Sequence, residues 1–474
     1  MMVALPVRPG NAELSLLEHS LEEICKEFPL FDTREFLDRL RTQGAASMDA
    51  CGSASRWAGV NAAIALSIHV KMANRAFEEL SPFAWAFFKN AYAAFPELML
   101  HGNDSETVKA LVLMALFGRN SADARTTSLL LSTALRLSQT LDSSLLRVHD
   151  GKSRNAVEPE NARLALWAAF VLDAELSLCC GLAGSGLGAG DIEIDLPNEE
   201  YHHDGDDKAC TSIFRRRVEL ALIHSAVRAR LYSRDAFNMP ESELLSTIAT
   251  LNKALEDWKR NLPPEAQPGH VVVTLEPHCV ILHLACHNLT SMVHWAARRH
   301  SAWDVPTGGR LEEQTSSLIH LSRLKVRAAA QHTLRLLRQS PFEQFAQFWY
   351  EYLRYIAHIE SRDIKLILHH RRNLCYPLSA AMTLLLYILE RPEDPNAETD
   401  AQLLRGFGRQ VNRMQNDGDF EISNLLKAYL GFEHLANVAI SQAQNDEGLG
   451  PRAEPSQDAF PHYDVQVSIT LHPC

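Results

Sequence analysis

Four side chains near the middle of this 474-residue chain have the spacing of a metal site. Cys279, His283, Cys286 and His287 stand at i, i+4, i+7 and i+8 within PHCVILHLACHNLTSMVHW, with His278 and His294 at either side. A helix brings those four positions to one face, and thiolates with imidazoles are a zinc ligand set. Val280, Ile281, Leu284 and Leu289 interleave with them, which gives the face a second use. Cysteine packs as a small hydrophobe, and histidines on a helix seam bond one another or a carbonyl. With no C-x-x-C pair elsewhere to complete a site, packing is the preferred reading, and the four remain metal candidates only.

A second chemical pattern fails on context. Gly184, Gly186 and Ala189 have G-x-G-x-x-A spacing, but a dinucleotide-binding loop follows a strand and opens a helix. This one follows a helical segment and runs into IEIDLP. Neither a G-x-S-x-G nucleophile elbow nor a phosphate-loop lysine motif is present. The motifs therefore point away from an enzyme and from a bound cofactor.

Composition sets the class. The chain is 46% hydrophobic and 22% charged, with a formal charge of -12 and a pI near 6.0. It can bury a large core, and its surface is not built chiefly to neutralise phosphates, so direct DNA binding by this chain is not expected. The short basic runs, Arg215 to Arg217 continuing through Arg228, Arg230 and Arg234, and His369 to Arg372, read as solvated helix faces. The longest apolar runs, near 111–117 and 164–172, are too short for a bilayer. Nine scattered cysteines suit reduced thiols in a cytosolic or nuclear compartment.

The stretch ENARLALWAAFVLDAELSLCCGLAGSGLGAGDIEIDLP, residues 160–197, is the most informative. Leu164, Trp167, Val171, Ala174 and Leu178 recur at three- and four-residue steps and form an apolar helical stripe, widened by Phe170. Asp173 sits beside the stripe and, if buried, needs a cation or several donors. Glycines from Gly181 onward end the helix.

Arg163, Trp167, Phe170, Leu172, Asp173, Ser177, Gly181, Asp191, Ile192, Leu196 and Pro197 together resemble the signature of the fungal transcription factor regulatory domain. This is the middle homology region that follows zinc-cluster (Zn2Cys6) DNA-binding domains. Three other segments resemble the family: PLFDTREFLDRL at 29–40, the hairpin bearing Leu135, Arg136, Leu137 and Leu141, and LEDWKRNLPPE around Trp258. The resemblance runs from about Leu14 to Ile440. Leu182 and Ala183 depart from it, standing where an arginine-proline pair often follows the glycine. By analogy with the family, Arg136 is the expected partner of Asp173.

Helical periodicity dominates elsewhere, so the expected fold is all-α, a large multi-helix bundle of that regulatory-domain type. Residues 1–13 read as a tail, 14–440 as the domain, with subregions 14–262 and 275–440 divided near QPGH, and 441–474 as a disordered tail. Asp32 or Thr33 is the expected cap of an early helix. Further helices are expected at 315–339, 341–362 and 377–389.

The resemblance implies a nuclear regulator of a fungal pathway, such as nutrient use or a secondary-metabolite gene cluster. It implies a small-molecule effector between helices, and other transcription proteins or a second copy as partners. A zinc cluster would need six close cysteines near the N-terminus, and only Cys25 and Cys51 precede residue 170. Zinc is therefore expected only if such a cluster lies outside this sequence. The alternatives are a co-regulator without DNA contact that pairs with a full-length factor and, third, a helical enzyme.

Overall fold

The computed structural model describes residues 11–43, 53–71, 77–120, 124–141, 157–180, 194–198, 208–263, 266–267, 277–304, 313–339, 372–417 and 423–447. Among them every regular element is helical, and the fold is all-α as expected. In chain order, α1 is Asn11–Glu27, α2 Thr33–Gln43, α3 Ala54–Lys71, α4 Phe77–Ala93, α5 Phe95–His101, α6 Ser105–Asn120, α7 Ala124–Thr140 and α8 Val157–Cys180. Then follow α9 Lys208–Leu231, α10 Glu241–Arg260, α11 Pro277–Trp295, α12 Glu313–Gln339, α13 Arg372–Glu390, α14 Ala397–Asp417 and α15 Ser423–Glu447. The expected helix at 341–362, the basic run at 369–371, the glycine loop with Gly181 and Asp191, and residues 448–474 lie outside the described residues. The last helix continues past the expected tail boundary at 441, because Gln442, Ala443 and Gln444 are good helix formers.

Local chemistry accounts for several helix starts. Asp32 caps α2, its Oδ1 accepting from the backbone N–H groups of Arg34 at 2.8 Å and Glu35 at 3.0 Å. Asp104 does the same for α6 through Thr107 N–H at 2.7 Å. Helices α6 and α7 form a close hairpin at Gly118, where a Cβ would stand only 2.7 Å from Thr127 Oγ1.

Two apolar cores result. The first gathers residues of α1 through α8, and the second residues of α10 through α15. They meet along α9. Phe214, Val218 and Ala221 belong to the first core, and Ile213, Leu220, Val227 and Leu231 to the second. At about 100° per residue these are two stripes on different faces of one helix. The apolar packing thus changes hands inside α9, while α10 with Trp258 and Leu262 packs in the second core.

The signature helix α8 is the most enclosed element. Every side chain from Glu160 to Ser177 is buried, so the single stripe read from sequence is in fact a helix covered on all sides. Helices α6, α7, α9 and α13 supply the cover. Ala162, Ala165, Ala168 and Ala169 let them approach closely, since each is at most 3% exposed. Ala168→Leu should overpack this crossing and lower stability by about 1–3 kcal/mol. Gln139→Leu, at an exposed position of α7, should stay within about 0.5 kcal/mol, so equal urea midpoints for the two variants would refute the enclosed packing.

Candidate functional site

The signature residues that are described act on the segment 194–198 and on α9. Trp167 is almost wholly buried, its ring packs edge-to-face on Phe170 at 5.6 Å, and its Nε1–H donates to the Asp195 carbonyl at 2.9 Å. One turn earlier, Arg163 pairs with Glu160 at 2.9 Å, and Glu160 Oε1 accepts from Asn198 N–H at 2.8 Å. Burial pushes the Glu160 carboxyl up, against the Asn198 N–H and the charge of Arg163. Pro197 is buried, and its carbonyl accepts from Arg215 Nη1–H at 2.7 Å. Helix α8 thereby fixes the segment 194–198 and joins it to α9.

The run of basic residues divides: Arg230 and Arg234 are exposed, as a solvated face requires, but Arg215 to Arg217 are not. Arg215 and Arg216 are half-buried and reach Glu219 at 3.5 and 2.9 Å, and Arg217 is buried. Arg217 grips Glu175 of α8 with two nitrogens, at 3.1 and 3.3 Å, and donates with the third to Glu27 of α1 at 3.0 Å. Glu27 also accepts from Arg119 of α6, at 3.0 and 3.4 Å. Two carboxylates and two guanidiniums thus join four helices. Phe28 lies beneath both guanidiniums, at 5.8 Å from Arg119 and 4.6 Å from Arg217, and meets Phe214 edge-on at 6.0 Å. Sequence reading missed this cluster because its partners are up to 190 residues apart.

Arg136 and Asp173 are not brought together. Asp173 is buried in α8, whereas Arg136 is exposed on α7 and pairs with no carboxylate among the described residues. The helical hairpin turns the Arg136 side of α7 to solvent, since Leu130, Leu131, Ala134, Leu135 and Ser138 already fill the buried side.

The metal candidates share α11, but their atoms do not converge. His283 Nε2–H donates to the Ala266 carbonyl at 2.7 Å, and the His287 ring packs beside His332 of α12 at 5.4 Å. Burial pushes the Cys286 thiol up to about 11, which disfavours the thiolate zinc requires. Cys279 is buried with the core. No group of three or more metal-ligating side chains is assembled among the described residues. What the face does instead is pack α11 against the 266–267 turn and α12.

Histidines on both sides of this packing are held neutral. Burial lowers His294 to about 4, with Lys325 and Lys259 adding to the effect, while it donates from Nε2 to Asn252 Oδ1 at 3.0 Å and accepts at Nδ1 from Ser322 at 3.1 Å. Burial also lowers His224 of α9 to about 4; the Ala285 backbone opposes this and the Arg217 charge reinforces it. His283 is lowered by burial, and His287 well below the usual range by burial and then by His332.

Residues 28–260 match the profile of the fungal specific transcription factor domain. The chain is 28% identical over 93% of its length to an ABC-transporter-regulating transcription factor of Aspergillus oryzae, and 27% identical over the same share to one of Aspergillus fumigatus; it covers 48% of each. A Fusaridione A cluster transcription factor of Fusarium heterosporum is 23% identical over 64% of this chain and 58% of its own. The chain thus spans about half the length of the curated relatives it matches. No solved structure matches. Among the described residues, no helix is long and apolar enough to cross a membrane.

Two predictions test the site. Arg217→Met strands the Glu175 carboxylate and should cost about 3–5 kcal/mol, whereas adding Glu175→Leu should recover part of that loss. Chemical unfolding of the two single variants and the double variant checks it, and strictly additive effects would mean the charges do not depend on one another. The second concerns acid. His224, His283, His287 and His294 have folded values below the unfolded value of 6.5. The unfolded chain therefore takes up protons first as pH falls through that value, and folding stability declines toward pH 4. His224 and His294, both held at about 4, should each remove on the order of 1 kcal/mol between about pH 7.5 and pH 5.5, with His283 and His287 acting in the same direction. Urea titrations at both values measure the decline, and His224→Leu should flatten it by one histidine's share.

Proposed function

With residues 28–260 a fungal specific transcription factor domain, we propose that this chain is the helical regulatory part of a fungal transcription regulator. It acts in the nucleus on the genes of one pathway. The observation that supports this most is the likeness to two ABC-transporter-regulating transcription factors across 93% of the chain, which favours transporter genes as targets. The likeness to a Fusaridione A cluster factor favours a role in secondary metabolism. The chain's part is to hold and transmit a conformational state rather than to read bases, in keeping with its net charge of -12. An effector taken up between helices, and other transcription proteins or a second copy, are the partners this role calls for.

The expected outcome in the source fungus is that a tagged protein concentrates in nuclei and that deleting its gene changes transcripts of a transporter or of a metabolite gene cluster. An unchanged transcript profile, or exclusion from nuclei, would overturn the reading. The isolated chain should show only weak, salt-sensitive association with DNA in fluorescence anisotropy at physiological salt.

A further inference from the structure

We propose that α1 is a releasable latch on the regulatory fold, held by its last residue Glu27 and by Phe28 just beyond it, and that it can open while α8 and α9 stay joined.

The charged cluster is graded in its access to water. On the α1 side, the Glu27 side chain is 21% exposed and that of Arg119 16%; on the inner side, Arg217 is 6% and Glu175 3% exposed. Water can take over the partners of Glu27 and Arg119 when α1 lifts, so that separation leaves no lone charge in a dry interior. The inner pair has no such recourse. If Glu175 and Arg217 part, each faces the full desolvation penalty of a buried ion.

The charged part of the grip on α1 is also local. Arg119 and Arg217 both bond the Glu27 carboxylate and both cover the Phe28 ring, so two adjacent residues enter and leave the same recess. Ser20, Leu21, Ile24 and Cys25 are the other buried residues among the described side chains of α1, which also packs on α2 and α3. When α1 leaves, Arg217 keeps both bonds to Glu175, and α8 keeps the cover of α6, α7, α9 and α13. The recess then presents Arg119, Arg217 and Phe214 to solvent, which changes the charge and apolar character of that face. The latch thus has two discrete positions, with the signature helix intact in both.

Native-state hydrogen exchange on the full chain tests this. Glu27→Gln should speed exchange of the amides in 17–27 on the order of tenfold while 160–177 keep their protection. Glu175→Gln should instead lower protection of α1, α8 and α9 together. Equal acceleration of α1 and α8 in Glu27→Gln, or an unchanged α1, would overturn the latch. The parent protein gives an independent measurement should a variant not fold. Its α1 amides should exchange through an opening with a smaller urea dependence than those of α8, and a single shared opening for both helices would refute the proposal.

Discussion

Arg217 is the constraint on which the first core depends. A guanidinium that is almost wholly buried cannot be left short of acceptors, because nothing in the interior replaces water for it. Its three nitrogens meet Glu175 and Glu27, and Glu27 in turn meets Arg119. These bonds are satisfied together only when α1, α6, α8 and α9 arrive in one register. Apolar packing tolerates slippage between similar side chains. A closed set of charges at bonding distance does not, so the cluster selects one arrangement from the many that would bury the same leucines.

The same helix carries the link to the second core. While Phe214, Val218 and Ala221 belong to the first core, the Trp258 indole of α10 donates to the Arg216 carbonyl at 3.0 Å, and Tyr232, beyond the end of α9, donates to the Met292 carbonyl of α11 at 2.7 Å. Buried Trp and Tyr seek a partner for their one polar atom, which converts a bulky apolar contact into a directional one. Trp57 and Trp167 follow this rule through the carbonyls of Asn90 and Asp195. The helices of each core are thus pinned at single atoms as well as packed.

What the sequence made legible divides by range. Helix α8, the α6–α7 hairpin, the Asp32 cap and the buried Trp167 depend on neighbours within a few turns, and local periodicity displays them. The role of the Arg215–Arg217 run depends on Glu27 and Glu175, far away in the chain, and three consecutive arginines look the same on a solvated face as in a buried clamp. Arg136 failed for the same reason. Its side of α7 is decided by which residues the hairpin has already buried, a fact of packing that no spacing encodes. The histidines of α11 were legible as a face but not as a function, since one spacing serves a metal or a seam, and only the Ala266 carbonyl and the His332 ring decide between them.

The position of α9 bears on how a signal can cross the molecule. A change in the first core reaches the second through this helix, through α13, which touches α8, or through both. Along α9 the carriers differ in kind: the first-core side holds the inner Arg217–Glu175 pair, which must stay joined, and the second-core side holds His224 and an apolar stripe next to α11. Coupling needs an element with two discrete positions that both sites bias. A fully paired inner cluster does not supply one, because its partial states are too costly. Such an element has to lie at the wet margin of the charges, where exchanging protein partners for water costs least, and on this face of the fold that margin is Glu27 and Arg119.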